Sequence, residues 1–184
     1  MVSREGCEGM ETHSKILERI RHPVGCPPLR ESVKGKKNIL IITDDNTRQT
    51  PLRRILFFVL RELRSAGVQD KQIKLLIASG THRPMRSDEI AFKFGKTIAS
   101  RFTIRSHLWK RNDMLAKINY CINRNKVCVN KLATKADFII GIGSIVPHAT
   151  TGYSGGGKII LPGICGGTSI EDIHWQALRF KTKD

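Results

Sequence analysis

Residues 141–160, GIGSIVPHATTGYSGGGKII, decide how this chain is read. The apolar run Phe138-Ile139-Ile140 leads in, and Ile159-Ile160-Leu161 resumes a buried element afterwards. Between those core segments lie repeated glycines, one proline, one imidazole (His148) and one amine (Lys158), with no acidic side chain. Glycine costs chain entropy on folding, so this density marks backbone that approaches something closely or adopts positive φ. Long connections of this kind are usually functional. The stretch reads as a ligand cradle; the alternative is a glycine-rich connection with no ligand.

Working outward, the residues before the cradle alternate between strand and helix. Ile39 to Thr43 is a continuous apolar run suited to a strand covered on both faces. It opens into the polar segment Asp44-Asp45-Asn46-Thr47-Arg48-Gln49-Thr50-Pro51. A helix follows over about 52–66, with Ile55, Leu56, Val59, Leu60 and Leu63 at helical spacing and Gly67 closing it. Ile73 to Ala78 is a second strand, followed by Ser79-Gly80-Thr81-His82-Arg83-Pro84 and a helix that Ser87 can cap. Phe102-Thr103-Ile104 predicts a weaker strand ending at Ser106-His107, Lys126 to Asn130 another, and Asp137 to Ile142 the best of all. Strand, polar loop and helix in repetition predict an α/β fold, a Rossmann-like, mostly parallel sheet with flanking helices. Residues 1–22 read as a polar tail with a short helix over Ser14 to Arg21, and 23–184 as the α/β domain.

Composition narrows the class. A chain of 184 residues is long enough for one domain with a real core. No apolar run approaches the roughly 20 residues that span a bilayer. The start carries no apolar signal core, so the reading is a cytoplasmic protein with no membrane partner. Five scattered cysteines without a C-x-x-C favour reduced thiols over a zinc ribbon or disulfide framework. The net charge of +16 permits polyanion or phosphate partners. With aromatics at 6% and no nucleic-acid-binding motif, a solvated basic surface is favoured over a nucleic-acid groove.

In open α/β sheets, ligands collect at the carboxyl ends of the strands. The loops there carry Asp45 and Arg48, then His82 and Arg83, then His148 and Lys158. Two histidines on different loops suit acid and base work on opposite sides of a substrate. Arg48 or Arg83 suits a carboxylate or phosphate clamp, although Arg48 is equally readable as a structural partner of Asp44 or Asp45. Lys158 suits an anion or a covalent bond to a cofactor. His174 is a candidate metal ligand, or an ordinary helix-surface histidine. Gly152 to Lys158 also satisfies the nucleotide-binding pattern G-x-x-x-x-G-K. Ile159 stands where that motif needs Ser or Thr for magnesium, and Pro162 would break the helix it requires, which argues against a magnesium nucleotide.

The segments Asp44 to Arg48, Ser79 to Met85, Pro147-His148, and Gly152 to Lys158 leading to Leu161-Pro162-Gly163 occur in this order, with Pro27-Pro28-Leu29-Arg30 upstream. Together they resemble the N-terminal domain of the nickel-dependent lactate racemase family, from about residue 20 to the end. The resemblance implies a racemase or epimerase of small, lactate-like 2-hydroxy acids. Hydride would leave the substrate α-carbon for the cofactor, through a 2-keto acid intermediate. The implied cofactor is a nickel-pincer mononucleotide, a pyridinium thioamide/thiocarboxylate tethered to Lys158, with Tyr153, Ser154, Gly155 and Gly156 around it. His174 would ligate nickel, His82 and His148 would be the acid/base pair, and Asp45 and Arg48 would bind substrate. Cofactor-biosynthesis proteins would be partners. Gln49 replaces the family's usual proline, and Ile173 an asparagine common before the metal-ligating histidine. The family's second α/β domain is expected to be missing here. The competing expectation is therefore a catalytically incompetent fragment, or an anion- or polyanion-binding module.

Overall fold

The computed structural model describes residues 4–122, 125–148 and 152–181. Helix α1 (Arg4–Arg21) starts ten residues before the Ser14 expected from sequence, and α2 (Leu29–Ser32) is a single turn. Strand β1 (Ile39–Asp44) and helix α3 (Leu52–Ser65) follow. Next come β2 (Ile73–Ala78), α4 (Ser87–Phe94), α5 (Lys96–Arg101) and β3 (Ile104–Ser106). β4 (Leu115–Ile122), β5 (Asn125–Asn130), α6 (Lys131–Thr134) and β6 (Phe138–Ile142) complete the middle of the chain. The pair β7 (Pro147–His148) and β8 (Gly152–Tyr153), a 3-10 turn at Gly156–Ile159 and α7 (Gly167–Lys181) close it.

β1 is the keystone of a four-stranded parallel sheet in the order β3-β2-β1-β6. Its apolar run is continuous because both of its faces are covered. Ile39 and Ile41 point to a core shared with Leu52, Leu56, Val59, Leu60 and Leu63 of α3. Leu40 and Ile42 point the other way, against Ile164, Ile159, Ile160 and α6 residues Leu132 and Ala133. Each of these four strand residues is at most 1% exposed and contributes about 1.5–3 kcal/mol by burial. β2 repeats the pattern except for Lys74, which is exposed.

The α3 helix ends as its sequence dictates. Gly67 has φ of 82°, its N–H donates to the Arg64 carbonyl, and the Val68 N–H reaches back to the Leu63 carbonyl. This double closure needs a left-handed residue, and buried Val68 seals it against the core. At the same amino-terminal end of the sheet, Asp137 Oδ2 accepts the N–H groups of Lys37 and Asn38 at 2.9 Å each, fixing where β6 starts beside β1. Glu62, 1% exposed, accepts from the guanidinium groups of Arg21 and Arg30 and so pins α1 and α2 onto α3.

Two local expectations are corrected. Ser87 is not the cap of α4. Arg86 occupies that position, and its N–H donates to the Glu89 carboxylate at 2.8 Å. β5 lies outside the parallel sheet. It pairs antiparallel with β4, a strand the sequence reading did not anticipate, and this hairpin packs on α7 through Ile122, Val127, Val129 and Ile170.

Candidate functional site

Because β1, β2 and β6 run parallel, the loops leaving their carboxyl ends meet at one rim. There they enclose a cleft of about 510 Å³, within the range of small-molecule and cofactor sites. Asp45 and Arg48 enter from the loop after β1, His82 from the loop after β2, and His148, Ser154, Gly155, Gly156 and Lys158 from the segment after β6. His174 arrives from α7. The sequence expectation that these groups converge is met for each of them. Tyr153 stands apart: its side chain is exposed, and it is not part of the lining. Arg83 is also elsewhere, its guanidinium holding Glu89 at 2.6 and 2.8 Å.

The geometry around Asp45 defines the first histidine. Asp45 is buried, and its Oδ2 lies 2.6 Å from His82 Nδ1. Its Oδ1 accepts from the Thr47 N–H at 3.0 Å and the Thr47 hydroxyl at 2.5 Å. Burial works against this carboxylate's charge, but the hydrogen bonds from Thr47 and His82 outweigh it and hold the group below its usual range. An ionised Asp45 fixes the proton of neutral His82 on Nδ1 and leaves Nε2 as the basic nitrogen. Among the described residues, neither Asp44 nor Asp45 pairs with the Arg48 guanidinium.

The opposite wall is electropositive. Burial pulls the Lys158 amine below its ordinary pKa, and the Arg48 guanidinium adds to the effect. The Lys158 charge, followed by burial and the charges of Arg48 and His174, pulls the His148 imidazole down as well. Four basic groups in one cleft, two of them with their basicity lowered by the others and by burial, define a place for an anion.

Backbone shapes the same wall. Gly155, at φ of 82°, lies so close to the loop after β6 that a Cβ would sit 2.6 Å from the Ser144 carbonyl oxygen. Gly157 differs: a Cβ there would meet nothing within 4 Å, and its φ is not positive. Gly157 is not part of the cleft lining, and the space beside it is open. The 3-10 turn carrying Lys158 ends at Ile159, with no long helix behind it, in keeping with the rejection of a magnesium-nucleotide loop.

Sequence reasoning missed Ser144, Ile145 and Ile170, which also line the cleft. Ser144 was detectable as the second residue past β6; Ile170 was not, being an ordinary buried helix residue. His107, just past β3, is fully buried and is not part of the cleft lining, with Nε2 donating to the Cys165 carbonyl at 2.8 Å. Among the described residues, no three His, Cys, Asp or Glu side chains are grouped to hold a metal. A metal placed beside His174 would therefore take most of its donors from an organic carrier. That donor set and the amine of lowered basicity fit a tethered metal-organic cofactor. No helix among the described residues is long and apolar enough to cross a membrane.

Comparison with known proteins agrees with this architecture. The family model for the lactate racemase N-terminal domain matches residues 3–183. The chain is 35% identical over 168 residues to the lactate racemase of Lactiplantibacillus plantarum, covering 88% of this chain and 39% of that protein. It is 36% identical over 155 residues to the lactate racemase of Thermoanaerobacterium thermosaccharolyticum, covering 84% and 36%. The solved lactate racemase apoprotein from T. thermosaccharolyticum superposes with a TM-score of 0.79 at 36% identity, over 86% of this chain and 38% of that one. A Thermotoga maritima protein superposes at 0.75 with 27% identity, over 91% and 42%. The chain thus spans less than half the length of the relatives it matches.

Proposed function

Since the chain belongs to the lactate racemase N-terminal domain family, we propose that it forms the cofactor-bearing half of a racemase or epimerase of small 2-hydroxy acids such as lactate. The observation that carries this reading is the shared cleft, whose lining brings an aspartate-held histidine together with Arg48, His148, Lys158 and His174. Residues 23–184 act as the cofactor-binding unit, and residues 1–22 as the segment that precedes it.

Each side chain has work suited to its surroundings. Arg48 binds the substrate carboxylate through a two-pronged contact. His82, with Nδ1 engaged by Asp45, takes the hydroxyl proton on Nε2 and returns it. His148, whose imidazole lines the same cleft, does the same for the opposite enantiomer. Lys158, its basicity lowered by burial and by Arg48, offers a nucleophilic amine for the thioamide-type tether of a nickel-pincer mononucleotide. His174 would supply the protein's nitrogen donor to nickel. When bound, that group supplies reversible hydride acceptance, which interconverts a 2-hydroxy acid and its planar 2-keto acid. Ser154, Gly155 and Gly156 frame the tethered end.

The test is co-expression with cofactor-making enzymes, followed by intact-mass and peptide mass spectrometry and metal analysis. The expected result is an adduct on Lys158 with one nickel per chain, lost in Lys158→Ala, and interconversion of D- and L-lactate. An unmodified Lys158 with no nickel refutes the reading. An adduct without lactate interconversion leaves the domain as the cofactor-bearing half and shows that turnover needs more than this chain.

A further inference from the structure

Lys93 lies on α4, outside the cleft, and its side chain is only 7% exposed. A buried ammonium is costly unless its charge is paired and its three N–H groups are used. Here all three are spent on the last residue of β1 and the loop after it. One donates to Asp44 Oδ1 at 2.8 Å, one to the carbonyl of Asp45, and one to the carbonyl of Arg48 at 3.2 Å. Asp44 in turn holds the Thr50 hydroxyl and, at 3.3 Å, the N–H of Ser144 on the glycine-rich segment. One turn earlier on α4, Glu89 accepts from the Asn46 side chain of the same loop at 3.2 Å.

We infer that Lys93 is a positioning residue for this site, fixing the backbone of Asp45 and Arg48 and tying that loop, through Asp44, to the segment that carries Lys158. The argument rests on the role of Asp45, His82 and Arg48 in the proposed function, and its geometry is particular. The two carbonyls that Lys93 holds belong to the residue that orients His82 and to the residue that faces the anion. A lysine serving α4 alone would have no reason to reach past Asp44 to those carbonyls. Its loss frees the loop, breaks the Asp45–His82 hydrogen bond and lets Arg48 leave the cleft.

The experiment compares Lys93→Met, the double variant Asp44→Asn/Lys93→Met and Phe94→Leu in the whole chain. Phe94 is a buried neighbour on the same helix, so its truncation loosens α4 without touching the loop. Three readouts are taken: thermal unfolding, ¹⁵N NMR of the His82 ring with ¹³C titration of the Asp45 carboxyl, and binding of lactate as the probe anion. The expected result is that both Lys93 variants lose the His82 Nδ1 hydrogen-bond signature, shift the Asp45 titration upward and bind lactate more weakly. Phe94→Leu lowers the unfolding temperature but keeps all three site readouts. The double variant removes the orphaned Asp44 charge, so it folds even where Lys93→Met does not. Wild-type His82 and Asp45 spectra in either Lys93 variant, whatever its unfolding temperature, overturn the inference. These spectra need no cofactor, so a failure of the Lys158 adduct test is distinguishable from a failure here.

Discussion

Replacing Gly155 with alanine puts a number on the glycine-rich wall. Gly155 has φ of 82° and ψ of −166°, a region essentially reserved for glycine. Strain there costs a side-chain-bearing residue about 1–3 kcal/mol. The added Cβ would also stand 2.6 Å from the Ser144 carbonyl oxygen and 3.1 Å from Ile145 Cγ1. The first contact is with backbone, so a rotamer change cannot relieve it, and overpacking of this kind costs a further ~1–3 kcal/mol. The sum is about 2–6 kcal/mol, unless the loop yields. At about 2–4 °C per kcal/mol for a chain of this size, Gly155→Ala should lower the unfolding midpoint by at least ~4 °C. Gly157→Ala is the control, since its Cβ meets nothing within 4 Å. Its stability should stay within about 0.5 kcal/mol of wild type or rise slightly, because alanine restricts the unfolded chain. The assay is differential scanning calorimetry of both variants, with mass spectrometry of Lys158 after co-expression. The reasoning predicts a destabilised Gly155→Ala, and a stable Gly157→Ala whose adduct yield stays at the wild-type level, since Gly157 lies outside the cleft lining. Equal unfolding midpoints for the two variants and wild type would refute it.

Other expectations follow from single contacts. Asp45→Asn must turn its amide NH₂ toward His82, because Thr47 donates to the other oxygen; His82 then carries its proton on Nε2. In cofactor-loaded enzyme, kcat for lactate interconversion should fall by about 10²–10⁴-fold with little change in stability, checked by kinetics and by ¹⁵N assignment of the tautomer. Arg48→Met removes a cation that depresses Lys158, so the amine's pKa rises, its neutral fraction at fixed pH falls, and Lys158 acylates more slowly in a timed labelling assay. Burial holds His107 below its ordinary value of 6.5, despite the opposing pull of the Cys165 carbonyl. The unfolded chain therefore takes up the proton first. The stability His107 contributes is complete above pH 6.5 and is lost as pH falls from there toward the folded value. His107→Gln should flatten that part of a urea-midpoint profile against pH.

Much of this was legible in the chain because the signals were local and strong. β1, β2 and β6 declare themselves as unbroken apolar runs, and the polar groups directly after them form the cleft. The β4–β5 hairpin was not legible. β4 has an irregular burial pattern, and its pairing shifts register between Lys117 and Cys121, so no clean alternation survives. The partnership of Asp45 with His82 spans 37 positions and depends on sheet register, which spacing does not reveal. Lys93 was hidden for another reason: on a helix between Phe92 and Phe94 it looks like any surface lysine, and only the fold shows it buried.

The order of strands also sets a schedule for synthesis. β1 receives β6 as a neighbour only after some 100 further residues have been added, as the bond from Lys37 to Asp137 measures. At about 5–20 residues per second on the ribosome, that is a wait of ~5–20 s. During it the nascent keystone has one bare edge, and Leu40 and Ile42 have no cover from Ile159, Ile160 or Ile164. That face of the keystone is closed only once the segment bearing Lys158 has emerged and brought Ile159, Ile160 and Ile164 against it.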